Sequence, residues 1–195
     1  FNVVLIEMKE DAAEAARGRI AGNLSGALKR GKITQMKYDA MTNTALEVSI
    51  NYDSLASVDL VIEAVFEDMG VKKDVFGKLD AVCKPGAILA SNTSYLDVDE
   101  IAASTSRPAD VIGLHFFSPA HIMKLLEVVV AEKTAPDVVA TGFALGKALN
   151  KISVRAGVCD GFIGNRILAT YRTAADHMVL DGASPYQIDK ALVDF

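Results

Sequence analysis

The chain has 195 residues, of which 51% are apolar and 23% charged, and it carries a formal charge of −5 at pH 7. This length suits one domain and part of a second, and the apolar share excludes a disordered chain because it is enough to bury a large core. The negative charge gives no general attraction to phosphate backbones, so we expect no nucleic-acid partner.

Cysteine content and hydropathy narrow the class of protein further. Cys83 and Cys159 are too few for a disulfide framework or a four-ligand zinc site, so we predict no metal centre and a reducing compartment. The apolar runs at 111–117 and 125–131 are interrupted by His115 and Glu127, and both are far shorter than the roughly 18 residues that a membrane span needs. We therefore expect no membrane span, and a soluble intracellular protein with enzyme as the favoured class.

Apolar runs and amphipathic segments alternate along most of the chain. In chain order we predict a strand at 1–7, helices at 10–31 and 34–46, an extended piece at 50–52, a turn of helix from 54, a strand at 59–65, a helix at 68–83, a strand at 87–91, a helix at 97–104, strands at 111–115 and 126–130, a helix at 137–149 and a strand at 151–154. Continuous apolar runs are typical of strands buried on both faces. Their alternation with helices predicts a doubly wound α/β fold with a mostly parallel sheet.

The last part of the chain has a helical pattern. A long amphipathic helix is predicted from Phe162 to Asp181, and a second helix begins at Ser184-Pro185. One helix and part of another cannot enclose a core, so we assign residues 1–157 to the α/β domain and 158–195 to the beginning of a helical domain. Because the chain opens inside an apolar run and stops within a helix, we expect a fragment truncated at both ends, without the first strand of the sheet.

In doubly wound sheets the active site lies at the carboxyl ends of the strands, so polar side chains there are the first candidates. Glu7 follows the first strand, where a carboxylate can bind the ribose hydroxyls of a dinucleotide; the alternative is a solvated charge at a strand end. No GxGxxG motif occurs among the 14 glycines. Gly18, Gly22 and Gly26 recur every four residues on a predicted helix, which indicates a close-packing face and not a phosphate-binding loop.

Two polar segments indicate ligand contacts. Ser91-Asn92-Thr93-Ser94 follows the strand at 87–91, and this row of hydrogen-bonding side chains exceeds what a helix N-cap needs. Farther along, Gly161 and Gly164 allow the start of the last long helix to approach another surface, and Asn165 presents an amide from its first turn. Such residues are also common at ordinary helix starts.

His115 and Glu127 lie on two predicted strands that are expected to be neighbours. A lone histidine after a buried strand is more often a core residue with its hydrogen bonds satisfied. A carboxylate inside an apolar strand, however, is costly to bury unless it has a charged or hydrogen-bonding partner. The two residues satisfy each other's requirement, because the carboxylate orients the imidazole and stabilises the imidazolium. We therefore predict a catalytic pair.

Four motifs occur in order along the chain: SNTS at 91–94, HFFSPA at 115–120, KLLEVV at 124–129 and DGFIGNR at 160–166. Together they resemble the L-3-hydroxyacyl-CoA dehydrogenases, and their spacing matches as well, with 21 residues from Ser94 to His115 and 50 from His115 to Asn165. The resemblance covers essentially the whole chain. It is strongest to the dehydrogenase part of multifunctional β-oxidation enzymes of the peroxisomal bifunctional type and their bacterial relatives, in which an enoyl-CoA hydratase domain precedes the dehydrogenase.

The resemblance implies a Rossmann-type domain and a role for each motif residue. His115 is then the general acid–base with Glu127 as its partner, and Ser94 and Asn165 bind the substrate oxygens. The implied NAD contacts are Glu7, Glu67, Lys72 and Asn92. The basic stretch at Lys29 and Arg30 is implied to bind CoA phosphates, although helix-end cations that complement the helix dipole are an equal alternative.

The resemblance also implies the reaction, which is NAD-dependent oxidation of (S)-3-hydroxyacyl-CoA to 3-oxoacyl-CoA in fatty-acid β-oxidation. The implied partners are the acyl-CoA substrate and further copies of the chain in a homo-oligomer. The implied compartment is the cytoplasm for a bacterial protein and the peroxisome for a eukaryotic one. Since no glycine-rich loop is present, we expect these 195 residues alone to bind NAD weakly.

Three alternatives stay open. The first is a non-catalytic structural relative of the same fold. The second is a small hydroxy-acid dehydrogenase that uses a lysine base and a substrate without CoA. The third is a nucleotide-sugar dehydrogenase with Cys159 as nucleophile, which is disfavoured because the adjacent Asp160 opposes a thiolate.

Overall fold

Seven strands form two sheets in the computed structural model, which describes residues 1–195. One sheet has two strands and the other has five. The chain divides into two compact units, the first made of residues 1–59 and 78–87 and the second of residues 60–77 and 88–195. None of the helices combines the length and the apolar character that a membrane-spanning helix requires.

The first unit contains the two-stranded sheet. Strand β1 (Val3–Ile6) pairs in parallel with β2 (Leu46–Ser49), and Val3 lies opposite Leu46. Between them run α1 (Glu10–Lys29) and α2 (Gln35–Asn43). Acidic residues in the first turn of α1 and Lys29 in its last turn complement the helix dipole. The two strands are thus joined by a helical crossover, as parallel strands require.

The second unit contains the five-stranded sheet, in the order β3 (Leu60–Glu63), β4 (Ile88–Ser91), β5 (Val111–Phe116), β6 (Leu125–Val130) and β7 (Ile152–Gly157). All neighbours are parallel except β5 and β6, which are antiparallel. The remaining helices are α3 (Met69–Val82), α4 (Val98–Ala103), α5 (Pro136–Ala148), α6 (Gly164–Leu180) and α7 (Pro185–Asp194). The predicted α/β class, with a mostly parallel sheet followed by helices, is confirmed.

The core of the second unit lies under β5 and β6. Ile112, Leu114, Leu126 and Val128 are fully buried there and pack with Val138 of α5. Helix α5 approaches the sheet closely at Gly142, where an added Cβ would lie 3.3 Å from a methyl group of Val128. This packing fixes the positions of β5 and β6, which carry His115 and Glu127.

Two predicted elements are wrong in detail. The extended piece at 50–52 is instead β2 at Leu46–Ser49, and Tyr52–Leu55 forms a 3₁₀ helix. The apolar residues at 46 and 48 alternate with Glu47, which is the period of a strand. Residues 46–49 form that strand because they pair with β1. Helix α2 consequently ends at Asn43, three residues earlier than the predicted end at 46.

The predicted glycine packing face on α1 is also wrong. An added Cβ at Gly18 or Gly22 would have no heavy atom within 4 Å, and at Gly26 it would meet only the side chain of Arg30 from the same helix end. Spacing by four places residues on one face of a helix, but only a neighbouring element turns that face into a packing surface. Gly18 and Gly22 are exposed.

Candidate active site

His115 and Glu127 lie directly opposite each other on the antiparallel pair β5 and β6. The imidazole Nδ1 is 2.7 Å from Oε2 of Glu127, and the two side chains are 5% and 0% exposed. An ionised carboxylate only accepts hydrogen bonds, so Nδ1 carries the proton and Nε2 is the nitrogen free to exchange one with a ligand. The predicted neighbouring strands and the predicted contact between these two residues are both present.

The other carboxylate oxygen of Glu127 binds the start of α6. Oε1 accepts hydrogen bonds from the backbone amides of Ile163 at 3.1 Å and Gly164 at 2.8 Å. Helix N-termini have unpaired amides and a positive dipole end, which together stabilise a negative charge. The buried carboxylate therefore has the partners that it needs, and α6 is fixed against the pair.

Aromatic rings enclose the imidazole. The ring centroids of Phe117 and Phe162 lie 4.5 Å and 5.7 Å from that of His115, in tilted arrangements. Phe162 has a positive φ of 47°, which L-residues with bulky side chains rarely adopt, and Gly161 before it has φ of 68°. This backbone turn delays the start of α6 to Gly164, two residues after the predicted start, and brings the Phe162 ring to His115.

The segment after β4 is held by a second carboxylate, Glu67. Its Oε1 accepts hydrogen bonds from the Thr93 hydroxyl at 2.6 Å and from the amides of Ser94 at 2.7 Å and Tyr95 at 3.0 Å. Partial burial raises the pKa of Glu67, but these hydrogen bonds and the charge of Lys72 outweigh it and leave the pKa below its ordinary value. Glu67 is thus ionised at neutral pH and fixes the backbone that carries Ser94.

Ser94 and Asn92 present polar groups that the protein does not use. The Ser94 hydroxyl has no hydrogen-bond partner in the chain and is half-buried. Asn92 accepts a hydrogen bond through Oδ1 from the Phe116 amide at 2.8 Å, which ties this segment to the end of β5 and leaves its side-chain amide protons unpaired. Free donors and acceptors at the carboxyl edge of a sheet fit a ligand that carries hydroxyl and amide groups, such as the ribose and nicotinamide of NAD.

Lys72 and Asn165 have different environments. The Lys72 side chain is 1% exposed, and its ammonium lies 2.7 Å from Oε1 of Glu63 and 3.4 Å from Oε2 of Glu67. Its charge is therefore used inside the protein, and a role toward NAD would act through Glu67. Asn165 is half-buried in the first turn of α6, next to the amides that bind Glu127.

Two predicted ligand contacts lie in the first unit. Glu7 follows β1, its side chain is 30% exposed, and its Oε1 is 3.9 Å from the guanidinium of Arg19. Arg30 is exposed at the C-terminal end of α1 beside Lys29, and its guanidinium packs against Gly26. Both positions are accessible to a ligand, and their binding roles stay predictions.

Sequence reasoning missed Glu63, Phe117 and Phe162. Glu63 ends the apolar run of β3 in the same way as Glu127 interrupts that of β6, and that pattern was the available signal. The two phenylalanines had no such signal, because Phe117 is near His115 in sequence, which does not by itself indicate contact, and Phe162 is far from it.

Comparison with known proteins places the whole chain in one family. The model for the NAD-binding domain of 3-hydroxyacyl-CoA dehydrogenase matches residues 1–159, and the model for the C-terminal domain of 3-hydroxyacyl-CoA dehydrogenase matches residues 161–195. The chain is 46% identical over 195 residues to the peroxisomal bifunctional enzyme of Danio rerio, an alignment that covers 100% of this chain and 26% of that protein. It thus spans about a quarter of the length of this relative.

Solved structures agree with this assignment. FadB2 of M. tuberculosis superposes with a TM-score of 0.93 at 36% identity, covering 99% of this chain and 68% of the other. The 3-hydroxybutyryl-CoA dehydrogenase of Escherichia coli K12 gives 0.89 at 36% identity, covering 94% of this chain and 39% of the other. The chain therefore belongs to the 3-hydroxyacyl-CoA dehydrogenase family, with an NAD-binding domain over residues 1–159.

Proposed function

We propose that this chain carries the site at which a (S)-3-hydroxyacyl-CoA is oxidised to the 3-oxoacyl-CoA in fatty-acid β-oxidation, with His115 as the general base. The observation that carries the proposal is the buried pair of His115 and Glu127, joined at 2.7 Å and closed by the first amides of α6. Family membership supplies the reaction class, and this pair supplies the proton chemistry.

His115 accepts the proton of the substrate 3-hydroxyl at Nε2, because Nδ1 is held by Glu127. The carboxylate stabilises the resulting imidazolium, and Phe117 and Phe162 restrict the access of water to the ring. A bound NAD would supply the acceptor for the hydride that leaves C3. The same nitrogen of His115 can return the proton in the reverse reduction. Positioned acid–base catalysis of this kind contributes roughly 10²–10⁴-fold to the rate.

The remaining roles follow the family motifs. Ser94 and Asn165 bind the substrate oxygens, and the unpaired Ser94 hydroxyl supports this role. Glu67 and Asn92 bind NAD, Lys72 acts through Glu67, and Glu7 binds the adenosine ribose. Arg30 binds a CoA phosphate. The 195 residues contain no glycine-rich loop for the pyrophosphate.

The alternative of a non-catalytic relative is less consistent with the structure. A protein that kept only the fold would have no need of a buried histidine paired with a buried carboxylate, since an apolar pair of similar volume is usually no less stable. A lysine base is also disfavoured at Lys72, which is buried between two carboxylates.

The test is oxidation of NADH with acetoacetyl-CoA by the full-length protein that carries this sequence. We expect turnover in the wild type and a loss of roughly 100-fold or more in His115→Ala, with NADH binding retained. His177→Ala, which removes an exposed histidine of α6, is the matched control and should keep wild-type turnover. If His115→Ala keeps kcat within a few-fold of wild type, the assignment is wrong.

Compartment and assembly belong to the same proposal. The relative from Danio rerio is named a peroxisomal enzyme, and one from Brassica napus, at 40% identity, a glyoxysomal one. We extend this to a eukaryotic protein with the present sequence, and propose the cytoplasm for a bacterial one. We also propose a homo-oligomer, which sedimentation of the full-length protein tests directly.

A further inference from the structure

Five polar side chains form a cluster at the carboxyl ends of β3 and β4, which we call the Glu63 network. Its members are Glu63, Glu67, Lys72, Ser91 and Thr93. Four of them are almost fully buried, with Ser91 at 0%, Thr93 and Lys72 at 1% and Glu63 at 4% exposure. A buried cluster with this many polar and charged groups is costly to form, and it needs an explanation beyond packing.

Glu63 is the centre of this network. Its Oε1 binds the Lys72 ammonium at 2.7 Å and the Val65 amide at 2.6 Å, and its Oε2 accepts a hydrogen bond from the Ser91 hydroxyl at 2.7 Å. The carboxylate therefore joins the end of β3, the end of β4 and the first part of α3. Its charge is balanced by Lys72 alone.

Lys72 transmits this arrangement to Glu67. The ammonium of Lys72 lies 3.4 Å from Oε2 of Glu67, whose side chain is 39% exposed. Glu67 is partly exposed to solvent, whereas Glu63 and Lys72 are fully buried. The position of Lys72 is therefore set by Glu63, and Lys72 in turn stabilises the position of Glu67. A lysine without a buried counter-ion would not stay in this position, because the desolvation of its charge would be uncompensated.

Glu67 in turn fixes the backbone next to the reacting end of the site. Its Oε1 accepts hydrogen bonds from the Ser94 and Tyr95 amides and from the Thr93 hydroxyl. The Ser91 hydroxyl, bound to Glu63, also accepts a hydrogen bond from the Thr93 amide at 3.2 Å. Residues 93–95 are thus held both by Glu67 and by Ser91, which is bound to Glu63.

We propose that Glu63 is a positioning residue for the NAD site: through Lys72 and Ser91 it fixes Glu67 and the backbone of Ser94. This inference rests on the proposed function, because it assigns Glu67 and Ser94 to ligand binding. Glu63 itself is buried and touches no ligand. Its removal should weaken coenzyme binding, while the contact between His115 and Glu127, which does not involve Glu63, stays in place.

The experiment compares Glu63→Gln with Glu100→Gln in the full-length protein. Glu100 is the matched control, since it pairs with Lys73, the neighbour of Lys72, in an exposed ion pair. We expect Glu63→Gln to raise the dissociation constant of NADH, measured by fluorescence titration, by about tenfold, which corresponds to the loss of about one hydrogen bond's contribution to binding. Amide hydrogen exchange of residues 93–95 should become faster in Glu63→Gln and stay unchanged in Glu100→Gln.

A second variant separates positioning from loss of stability. Glu63→Gln combined with Lys72→Met removes both charges of the fully buried pair and leaves only the charge of Glu67, whose side chain is 39% exposed. We expect this double variant to recover the melting temperature and to keep the weak NADH binding and the faster exchange. Recovery of tight NADH binding together with the melting temperature would show that the network only supports folding, and would overturn the proposal. Failure of both variants to fold would overturn it as well.

Steady-state kinetics distinguish this inference from the proposed function. Glu63→Gln should raise the KM for NADH more than it lowers kcat, because Glu63 acts on binding while His115 keeps its partner Glu127. A wild-type protein without turnover contradicts the proposed function. If the wild-type protein is active and Glu63→Gln binds NADH as tightly as the wild type, only the positioning role is contradicted.

Discussion

Glu127 shows how a buried charge can be accommodated by three donors from two different elements. Oε2 faces the imidazole of His115, and Oε1 accepts both amides at the start of α6. All three donors require an acceptor, and only a carboxylate offers acceptors on both sides. The residue type at this position is therefore determined by hydrogen-bonding capacity as well as by charge.

Replacing Glu127 with glutamine tests this requirement. If the amide nitrogen of Gln faced the two α6 amides, donors would lie opposite each other at a cost of about 1–3 kcal/mol of stability. If it faced His115, Nδ1 would have to accept and Nε2 would carry the proton, which removes the base. We expect kcat to fall roughly 100-fold or more, because the imidazolium loses its counter-charge. Stopped-flow kinetics and thermal melts measure the two effects.

Glu132→Gln is the matched control for Glu127→Gln, since Glu132 follows the same strand and is exposed. Glu132→Gln should leave kcat and the melting temperature at their wild-type values. A Glu127→Gln protein with wild-type kcat would show that the charge of Glu127 is not needed.

Glu67 predicts a specific pH dependence of stability. Its pKa in the folded protein lies below the ordinary value of 4.5, so its ionised form stabilises the fold. This contribution is fully present above pH 4.5 and is lost as the pH falls through the lower, folded-state pKa. Glu67→Gln should therefore be less stable than wild type at pH 7, and the difference should shrink below pH 4.5.

Urea unfolding across this pH range measures the Glu67 effect. Glu47→Gln, which removes an exposed carboxylate of β2 with no ion-pair partner, should show no such convergence with pH. If the difference in free energy of unfolding between Glu67→Gln and wild type stays constant as the pH falls below 4.5, the hydrogen bonds from residues 93–95 do not stabilise the charge of Glu67.

At the scale of elements, the start of α6 is the critical contact of the site. The amide of Gly164 donates a hydrogen bond to Glu127. A Cβ added at this position would lie only 2.8 Å from Cζ of Phe117. The absence of a side chain allows the helix terminus to reach the carboxylate while Phe117 stays against His115. The helix, the strand pair and the aromatic ring thus depend on one another.

Gly164→Ala tests this contact. The new methyl group must displace either the Phe117 ring or the helix terminus, at a cost of about 1–3 kcal/mol. Because either shift disturbs the His115–Glu127 pair, we expect kcat to fall roughly tenfold. Gly77→Ala in α3 is the control, since an added Cβ there meets nothing within 4 Å. It should keep activity and gain about 0.5–1 kcal/mol of stability from helix propensity.

At the scale of the molecule, the proposed proton chemistry and the pyrophosphate-binding capacity are separable. The pair, its aromatic neighbours and the Glu63 network all lie in the second unit. The glycine-rich loop that supplies backbone amides to a pyrophosphate has no counterpart in the 195 residues. A folded His115–Glu127 pair does not therefore imply tight NAD binding by these residues alone.

A binding experiment tests this separation. We expect the 195-residue chain to bind NADH about tenfold or more weakly than the full-length protein that carries it, because several charge-assisted hydrogen bonds are missing. Circular dichroism and a cooperative thermal melt verify that the chain is folded. Equal affinities would show that these residues contain a complete coenzyme site.

Local pattern was sufficient for the order of the elements and for the central pair. Apolar runs and helical periodicity predicted every strand of the five-stranded sheet within a few residues. The carboxylate within the apolar run of β6 required a partner, and His115 was the polar residue on the expected neighbouring strand. These features can be predicted from short segments of the chain, because periodicity and the cost of burying a charge depend on neighbouring residues in the sequence.

Only the tertiary structure decided the other partners. Glu63 and Lys72 meet because α3 returns its first turns to the end of β3, and no periodicity expresses that contact. The amides of α6 reach Glu127 from 36 and 37 residues away, and the left-handed backbone at Phe162 that permits this has no sequence signature. The glycines of α1 lack the predicted neighbour for the same reason. A pattern specifies which face of an element is polar or small, but the elements packed against that face determine what it binds.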